Sequence, residues 1–232
     1  MTGPRFNVSP ERNLTYSVVL LALASAFALA AVTAGRWAWL LLWFGLSFLL
    51  LAVGYAGMGA RIFGKRRNGT LPLWSKLLHM GYVLPSWIIW HMMRLLQREA
   101  PFNQISQTLF VGRRLLDREF PKSVATCIDL TSEFDEVRKV RQRTHYVSLP
   151  ILDGGVPRRE ALEETLDALP EGPVYVHCAQ GHGRAALFAM ALLARRKEIR
   201  SYEEGMALLQ SARPGVVLNR FQETFVRKYF EE

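Results

Sequence analysis

The sequence predicts an α/β domain with a central, largely parallel sheet flanked by helices, preceded by an N-terminal transmembrane helical hairpin. Two long uncharged apolar segments open the chain, and short apolar runs alternate with helical patterns after residue 100. The charge composition changes at the same point. We therefore expect an N-terminal segment with two transmembrane helices over residues 1–60, a basic juxtamembrane segment over residues 61–100, and a globular domain over residues 101–232.

The hairpin is predicted from two uncharged segments, residues 14–34 and 37–60. About 20 helical residues cross the roughly 30 Å of hydrocarbon in a bilayer, so each segment is long enough to span it. Only Gly35 and Arg36 separate the segments, which requires a tight turn. A secretory signal is the competing interpretation, because Ala24-Ser25-Ala26 resembles a cleavage site, but the apolar run continues past it.

The basic residues that flank the hairpin predict its orientation. Two precede the first span, one lies in the turn, and four follow the second span: Arg61, Lys65, Arg66 and Arg67. Basic flanking segments stay on the cytoplasmic side. We therefore expect an integral protein of a plasma or inner membrane, with the globular domain in the cytoplasm.

Residues 71–98 mix Trp, Leu, Ile and Met with basic residues, and Pro85 interrupts the pattern. This composition is typical of helices that lie in the headgroup plane of a membrane. A third span over residues 77–93 is the alternative. It would move the globular domain to the other side of the membrane.

The distribution of charge separates two kinds of anionic partner. Ten basic and two acidic residues precede residue 100, so +8 of the net charge of +9 lies in the apolar part of the chain. A nucleic-acid-binding domain would carry this excess on its folded, polar part, which is nearly neutral here. The basicity therefore indicates contact with anionic lipid headgroups, and no nucleic-acid partner is expected.

The globular part alternates short apolar runs with helical patterns, which predicts the parallel sheet. The strands are expected over residues 108–111, 123–130, 145–149 and 173–177. The helices are expected over residues 158–169, 184–195, 202–212 and 219–230.

The last of these strands runs through a short loop into an apolar helix, and Cys178 opens that loop. Backbone N–H groups at a strand-to-helix junction bind anions, and Gly181 and Gly183 leave room for a phosphate. The same dipoles and Arg184 would shift the thiol toward thiolate, giving a nucleophile. Arg184 can also fork onto two phosphoryl oxygens. A buried structural cysteine and a persulfide-carrying sulfurtransferase loop are the alternatives.

The segment from His177 to Arg184 (HCAQGHGR) resembles the H-C-x-x-G-x-G-R signature of protein tyrosine and dual-specificity phosphatases. Further segments are similar to other elements of that family: QISQTLFVG at 104–112, CIDLTSE at 127–133, VSLPILD at 147–153, ARP at 212–214 and LNRF at 218–221. The resemblance implies a cysteine-dependent phosphomonoesterase without a metal or cofactor. Its substrate would be a phosphorylated protein or a phospholipid, with the oligomeric state undetermined.

The family resemblance also implies the role of each site residue. Cys178 is the nucleophile, Arg184 binds the phosphoryl group, and Asp153 is the general acid that protonates the leaving oxygen. The remaining phosphate-loop residues bind the substrate phosphate: Ala179, Gln180, Gly181, His182 and Gly183. Three residues are expected to support the site: His177, Arg213 and Asn219.

The residue after the arginine departs from the family pattern. The family has Ser or Thr there, whose hydroxyl stabilises the departing thiolate, whereas this chain has Ala185. Hydrolysis of the phosphocysteine is therefore expected to be slow. A catalytically impaired phosphate-binding module is the alternative that this substitution raises.

Overall fold

The structure is a computed structural model that describes residues 13–35 and 38–231. The expectations for Arg5, Arg12 and the turn residue Arg36 lie outside the described residues. The first helix, α1 (Leu14–Thr33), begins with a side-chain cap, because the Asn13 carboxamide oxygen accepts a hydrogen bond from the backbone N–H of Tyr16.

The second helix, α2 (Trp39–Val53), continues as a π-helical turn (Gly54–Met58) and a 3-10 turn (Gly59–Phe63). It packs against α1 through Phe27, which stacks on both Phe44 and Phe48. Most apolar side chains of the pair face outward. In the described part of the chain, α1 and the helical stretch from Trp39 to Phe63 are the two segments long and apolar enough to cross a membrane.

The basic segment forms α3 (Leu73–Leu78) and α4 (Met80–Leu96), and the latter runs through Pro85 without a break. Our expectation that Pro85 interrupts the segment was wrong. The junction of the two helices packs along α2: Trp43 Nε1 donates to the Leu77 carbonyl at 2.6 Å, and Ser47 Oγ donates to the Leu78 carbonyl at 2.9 Å. The outer face of α4 is apolar and exposed at Leu84, Trp87, Ile88, Met92 and Leu95.

The globular part is built on one sheet, which confirms the predicted α/β class. Its strands are β1 (Phe102–Ser106), β2 (Leu109–Arg113), β3 (Thr126–Thr131), β4 (His145–Ile151) and β5 (Val174–Cys178). The strand order is β1-β2-β5-β3-β4, with only the β1–β2 pair antiparallel. The helices are α5 (Arg138–Arg143), α6 (Arg159–Asp167), α7 (Gly183–Arg195), α8 (Tyr202–Ala212) and α9 (Arg220–Glu231). The short elements β1 and α5 were missing from the predicted set.

The central strand β5 and the helix α7 that follows it position the site. All five residues of β5 are buried between β2 and β3, and α7 is buried along nearly its whole length. A helix that is apolar on every side fits this interior place, where sheet and helices surround it. Cys178 therefore leaves the sheet at the carboxyl end of its central strand, where ligands of parallel sheets usually bind.

Candidate active site

The phosphate loop connects β5 to α7 and curls around the Cys178 thiol. The Gly181 backbone N–H donates to Cys178 Sγ at 3.2 Å, and the thiol side chain is almost entirely buried. Gly181 has a φ of +77°, and a Cβ on it would lie 2.1 Å from the carbonyl carbon of Gly112. Only glycine fits there, so this residue allows the loop to close over the sulfur.

Arg213 braces the outside of the loop. Its Nε donates to the Gly181 carbonyl and its Nη2 to the Gln180 carbonyl, both at 2.9 Å. Holding the carbonyls outward turns the N–H groups of the same peptides toward the inside of the loop. The third nitrogen of Arg213 bonds to Asn103, and Glu99 neutralises its charge at 2.8 Å. The loop is therefore preorganised as an anion cradle.

Arg184 lies beside the thiol, buried, and is held by a two-pronged ion pair with Glu133. Nη1 and Nη2 of the arginine donate to the two Glu133 carboxylate oxygens at 3.0 and 2.8 Å. Burial alone would raise the pKa of Glu133, but the guanidinium outweighs it and holds the pKa below its ordinary value. Arg184 Nε is buried and has no hydrogen-bond partner among the described residues. One donor of the guanidinium is thus left for a ligand.

Asp153 lies on the loop after β4, with its side chain 68% exposed and one oxygen 3.2 Å from Arg184 Nη2. The neighbouring glycines are held from the far side, because Asn219 Nδ2 donates to the Gly154 carbonyl at 2.8 Å and the buried Gln222 donates to the Gly155 carbonyl at 3.2 Å. This loop, residues 152–155, is called the acid loop below. Its carboxyl group faces the arginine while remaining open to solvent.

A buried cluster of charges supports the base of the phosphate loop. His177 Nε2 lies 3.1 Å from Glu136 and 4.0 Å from Asp129, and Lys65 Nζ lies 2.6 Å from Asp129. Burial lowers the pKa of His177, but the two carboxylates outweigh it and raise that pKa above its ordinary value. Lys65 is therefore not a headgroup contact, as its position after the second span had suggested, but part of the domain interior.

The same cluster offers a set of possible metal ligands. One ligand atom from each of Asp129, Glu136 and His177 lies within 4.8 Å of the others. The Lys65 ammonium already supplies Asp129 with a positive charge, and it also donates to the Thr131 carbonyl at 2.7 Å. The cluster therefore balances its charge with protein groups alone.

The helices of the N-terminal part border the site from the other side. Trp90 of α4, 1% exposed, donates its Nε1 proton to the Ala179 carbonyl at 3.1 Å, and Arg114 stacks on its ring. Tyr55, in the π-helical turn after α2, donates its hydroxyl proton to the Asp153 carbonyl at 2.5 Å. The phosphate loop and the acid loop thus each receive a hydrogen bond from a segment that precedes the globular domain.

The structure brings together most of the residues singled out by sequence. Cys178, Arg184, Asp153 and the phosphate loop form one cleft, with His177, Arg213 and Asn219 behind it. His182 is turned aside, since its Nε2 bonds to Glu99 at 2.7 Å rather than pointing into solvent. Ala185 is fully buried and leaves the Gly181 N–H as the hydrogen-bond donor to Cys178 among the described contacts.

The sequence analysis missed several residues that contact this site. Glu133 lies in a segment recognised for its likeness to a family strand, but that likeness gave no indication of its pairing with Arg184. Gln222 could have been sought one helical turn after Asn219, which caps α9. Trp90 and Tyr55 were interpreted as membrane-facing because of their apolar neighbours.

Comparison with known proteins gives a consistent result for the globular part. Residues 123–226 match the family model described as "PTP-SAK: Swiss Army Knife protein, DSP-PTPase phosphatase domain". A putative tyrosine phosphatase, 067L of Invertebrate iridescent virus 3, is 31% identical over an alignment that covers 44% of this chain and 52% of the viral protein. The chain thus spans about half the length of this curated relative.

Solved structures show the same fold. The crystal structure of Tk-PTP in the active form aligns with a TM-score of 0.51 and 21% identity, covering 57% of this chain and 97% of that chain. A mouse putative dual specificity phosphatase aligns with a TM-score of 0.49 and 21% identity, covering 57% of this chain and 87% of that chain. The phosphatase-like fold thus accounts for somewhat more than half of the chain.

Proposed function

Residues 123–226 of this chain belong to the phosphatase family of the dual-specificity and tyrosine type, and from this premise we propose that the protein is a cysteine-dependent phosphomonoesterase. One observation carries the proposal most directly. Arg184 Nε is a buried donor without a partner in the described structure, beside a thiol wrapped by loop N–H groups. Buried donors are rarely left unpaired, and a phosphoryl oxygen in the cradle would supply the missing acceptor.

The proposed reaction has two steps. Cys178 Sγ attacks the phosphorus atom, an S–P bond forms, and the bond to the leaving oxygen breaks as Asp153 gives that oxygen its proton. In the second step Asp153 takes a proton from water, the water oxygen bonds to phosphorus, and the S–P bond breaks to regenerate the thiolate. Loop N–H groups and Arg184 stabilise the equatorial oxygens in both transition states.

The second step is expected to limit turnover, because no hydroxyl at position 185 donates to the departing thiolate. A hydrogen bond to a charged group contributes about 1.5–3 kcal/mol, or about tenfold to more than a hundredfold in rate. With an aryl phosphate, stopped-flow measurement should show a burst of aryl alcohol equal to the enzyme concentration, followed by slow turnover. Ala185→Ser should raise the steady rate and leave the burst rate unchanged.

Asp153→Asn provides the matched control for this experiment. Since protonation of the leaving oxygen belongs to the first step, this variant should slow the burst itself when the leaving group is poor. Absence of a burst, with no gain from Ala185→Ser, would show that the first step limits turnover. Absence of any hydrolysis by the wild-type protein would instead favour an impaired phosphate-binding module.

We further propose that the hairpin anchors the enzyme in a plasma or inner membrane, with the catalytic domain in the cytoplasm. The support is the outward-facing apolar surface of α1 and α2, the exposed apolar face of α4, and the basic residues at the hairpin ends. A reporter fused after Glu232 should be active in the cytoplasm, and one inserted at Arg36 should be exported. Activity of the C-terminal fusion only outside the cytoplasm would contradict this topology.

A phospholipid phosphate monoester is the second substrate class, beside a phosphorylated protein. It is favoured by the hydrogen bonds from Tyr55 and Trp90, which place the acid loop and phosphate loop against the helices of the hairpin and of α4. The protein purified in detergent should be assayed against a phosphopeptide set and against phosphatidylglycerophosphate and phosphoinositides. The class with the higher kcat/KM identifies the substrate, and equal low values for both would argue against either.

A further inference from the structure

A cavity of about 1080 Å³ lies between the end of the hairpin and the globular domain. The π-helical and 3-10 turns after α2 form one wall, and the end of β4, the acid loop and the start of α6 form the other. Cys178 and the phosphate-loop residues 179–183 are not among the residues that line it. The cavity is therefore separate from the cleft that holds the nucleophile.

Positive charge dominates this cavity. Four arginines line it: Arg61, Arg66, Arg67 and Arg158. Within the described part of the chain, none of the four has a carboxylate at ion-pairing distance, and no acidic residue lines the cavity. Lys65 also reaches the cavity wall, but its ammonium is already paired with Asp129. Four unpaired guanidinium groups around one space form a strong site for an anion, and Arg favours phosphate geometry.

The rest of the lining is apolar and lies at the hairpin end. Met58, Leu152, Val156 and Phe221 contribute side chains to the walls beside the arginines. A free phosphate ion would contact the guanidinium groups and leave this apolar surface uncovered. We propose that the cavity binds an anionic phospholipid, with its headgroup phosphate on the four arginines and its glycerol and upper acyl chains against the apolar wall.

Binding there would act on the acid loop, an effect that rests on the proposed function. Tyr55 lines the cavity and donates to the Asp153 carbonyl, and Leu152 and Gly155 lie on either side of that residue in the cavity wall. An occupant that packs against these residues limits the motion of the loop that carries the general acid. The lipid therefore acts as an activator rather than a substrate.

The test measures binding directly on the full chain in neutral detergent. Energy transfer from protein tryptophans to pyrene-labelled phosphatidylserine gives the affinity; this lipid is a phosphodiester, which a phosphomonoesterase does not hydrolyse. The triple variant Arg66→Gln/Arg67→Gln/Arg158→Gln should bind about 100-fold more weakly, since each arginine near an anionic headgroup contributes about fivefold. The matched control removes three exposed arginines outside the cavity, Arg118→Gln/Arg138→Gln/Arg200→Gln, and should bind like the wild type.

The remaining arms separate the possible ligands. Phosphatidylcholine, which has the same phosphodiester and no net charge, should compete poorly, and inorganic phosphate should compete only at far higher concentration. Equal binding by the two triple variants, or displacement by inorganic phosphate at the concentration of the lipid, would overturn the proposal. Because binding is read without turnover, a protein that binds the lipid but hydrolyses no phosphate monoester would contradict only the proposed function.

Discussion

Cys178→Ser is expected to abolish aryl phosphate hydrolysis while phosphate binding persists. The serine hydroxyl stays protonated at neutral pH and cannot replace the thiolate as nucleophile, so kcat should fall by a factor on the order of 10⁶, as when other covalent enzymes lose their nucleophile. The anion cradle is unaffected, because its donors are backbone N–H groups and Arg184. Hydrolysis is measured by aryl alcohol release, and phosphate binding by isothermal titration calorimetry.

Cys127→Ala is the matched control for this experiment. Cys127 is the other cysteine of the chain and is buried in β3, on the face of the sheet that packs against Phe120 and Tyr175. Its replacement should leave kcat near the wild-type value, which excludes a general effect of removing a thiol. Undiminished hydrolysis by Cys178→Ser would eliminate the proposed mechanism.

Arg184→Lys should lower kcat/KM by about 10³-fold, because a single ammonium cannot present two donors to the phosphoryl oxygens. The charge remains, so the loss measures the geometry of the guanidinium rather than its charge. A loss of tenfold or less would show that Arg184 does not contact the transferring group. Steady-state kinetics on an aryl phosphate gives the value.

The pairing of Arg184 with Glu133 predicts a separate effect on stability. Arg184→Met leaves a fully buried carboxylate without its partner, which should lower the free energy of unfolding by about 3–5 kcal/mol. The double variant Arg184→Met/Glu133→Leu should recover most of this loss, because an apolar pair of similar volume replaces a buried ion pair at little cost. It should remain inactive. Thermal unfolding in detergent separates the two effects, and no recovery in the double variant would contradict the role of the pair.

The parts of the site that are local in sequence were predictable from it. The spacing from Cys178 to Arg184 depends on a few consecutive residues between a strand and a helix, so the sequence contains all the information that positions them. The same holds for α8, which was predicted with the bounds that it has in the structure. The hairpin segments were evident because an uncharged apolar run of this length is rare outside membrane helices.

The sequence by itself determined the nucleophile, its loop, the fold class and the apolar hairpin, because each follows from a local pattern or from composition. Only the tertiary structure decided what surrounds that loop. Glu133 meets Arg184, Lys65 meets Asp129, and Trp90 meets Ala179 across 51, 64 and 89 positions of the chain. Contacts over such separations depend on how β3, β5 and α4 are placed in space, and no local periodicity records that placement. The arginine-lined cavity has the same origin, since its walls come from segments that meet only when the hairpin end packs against the acid loop.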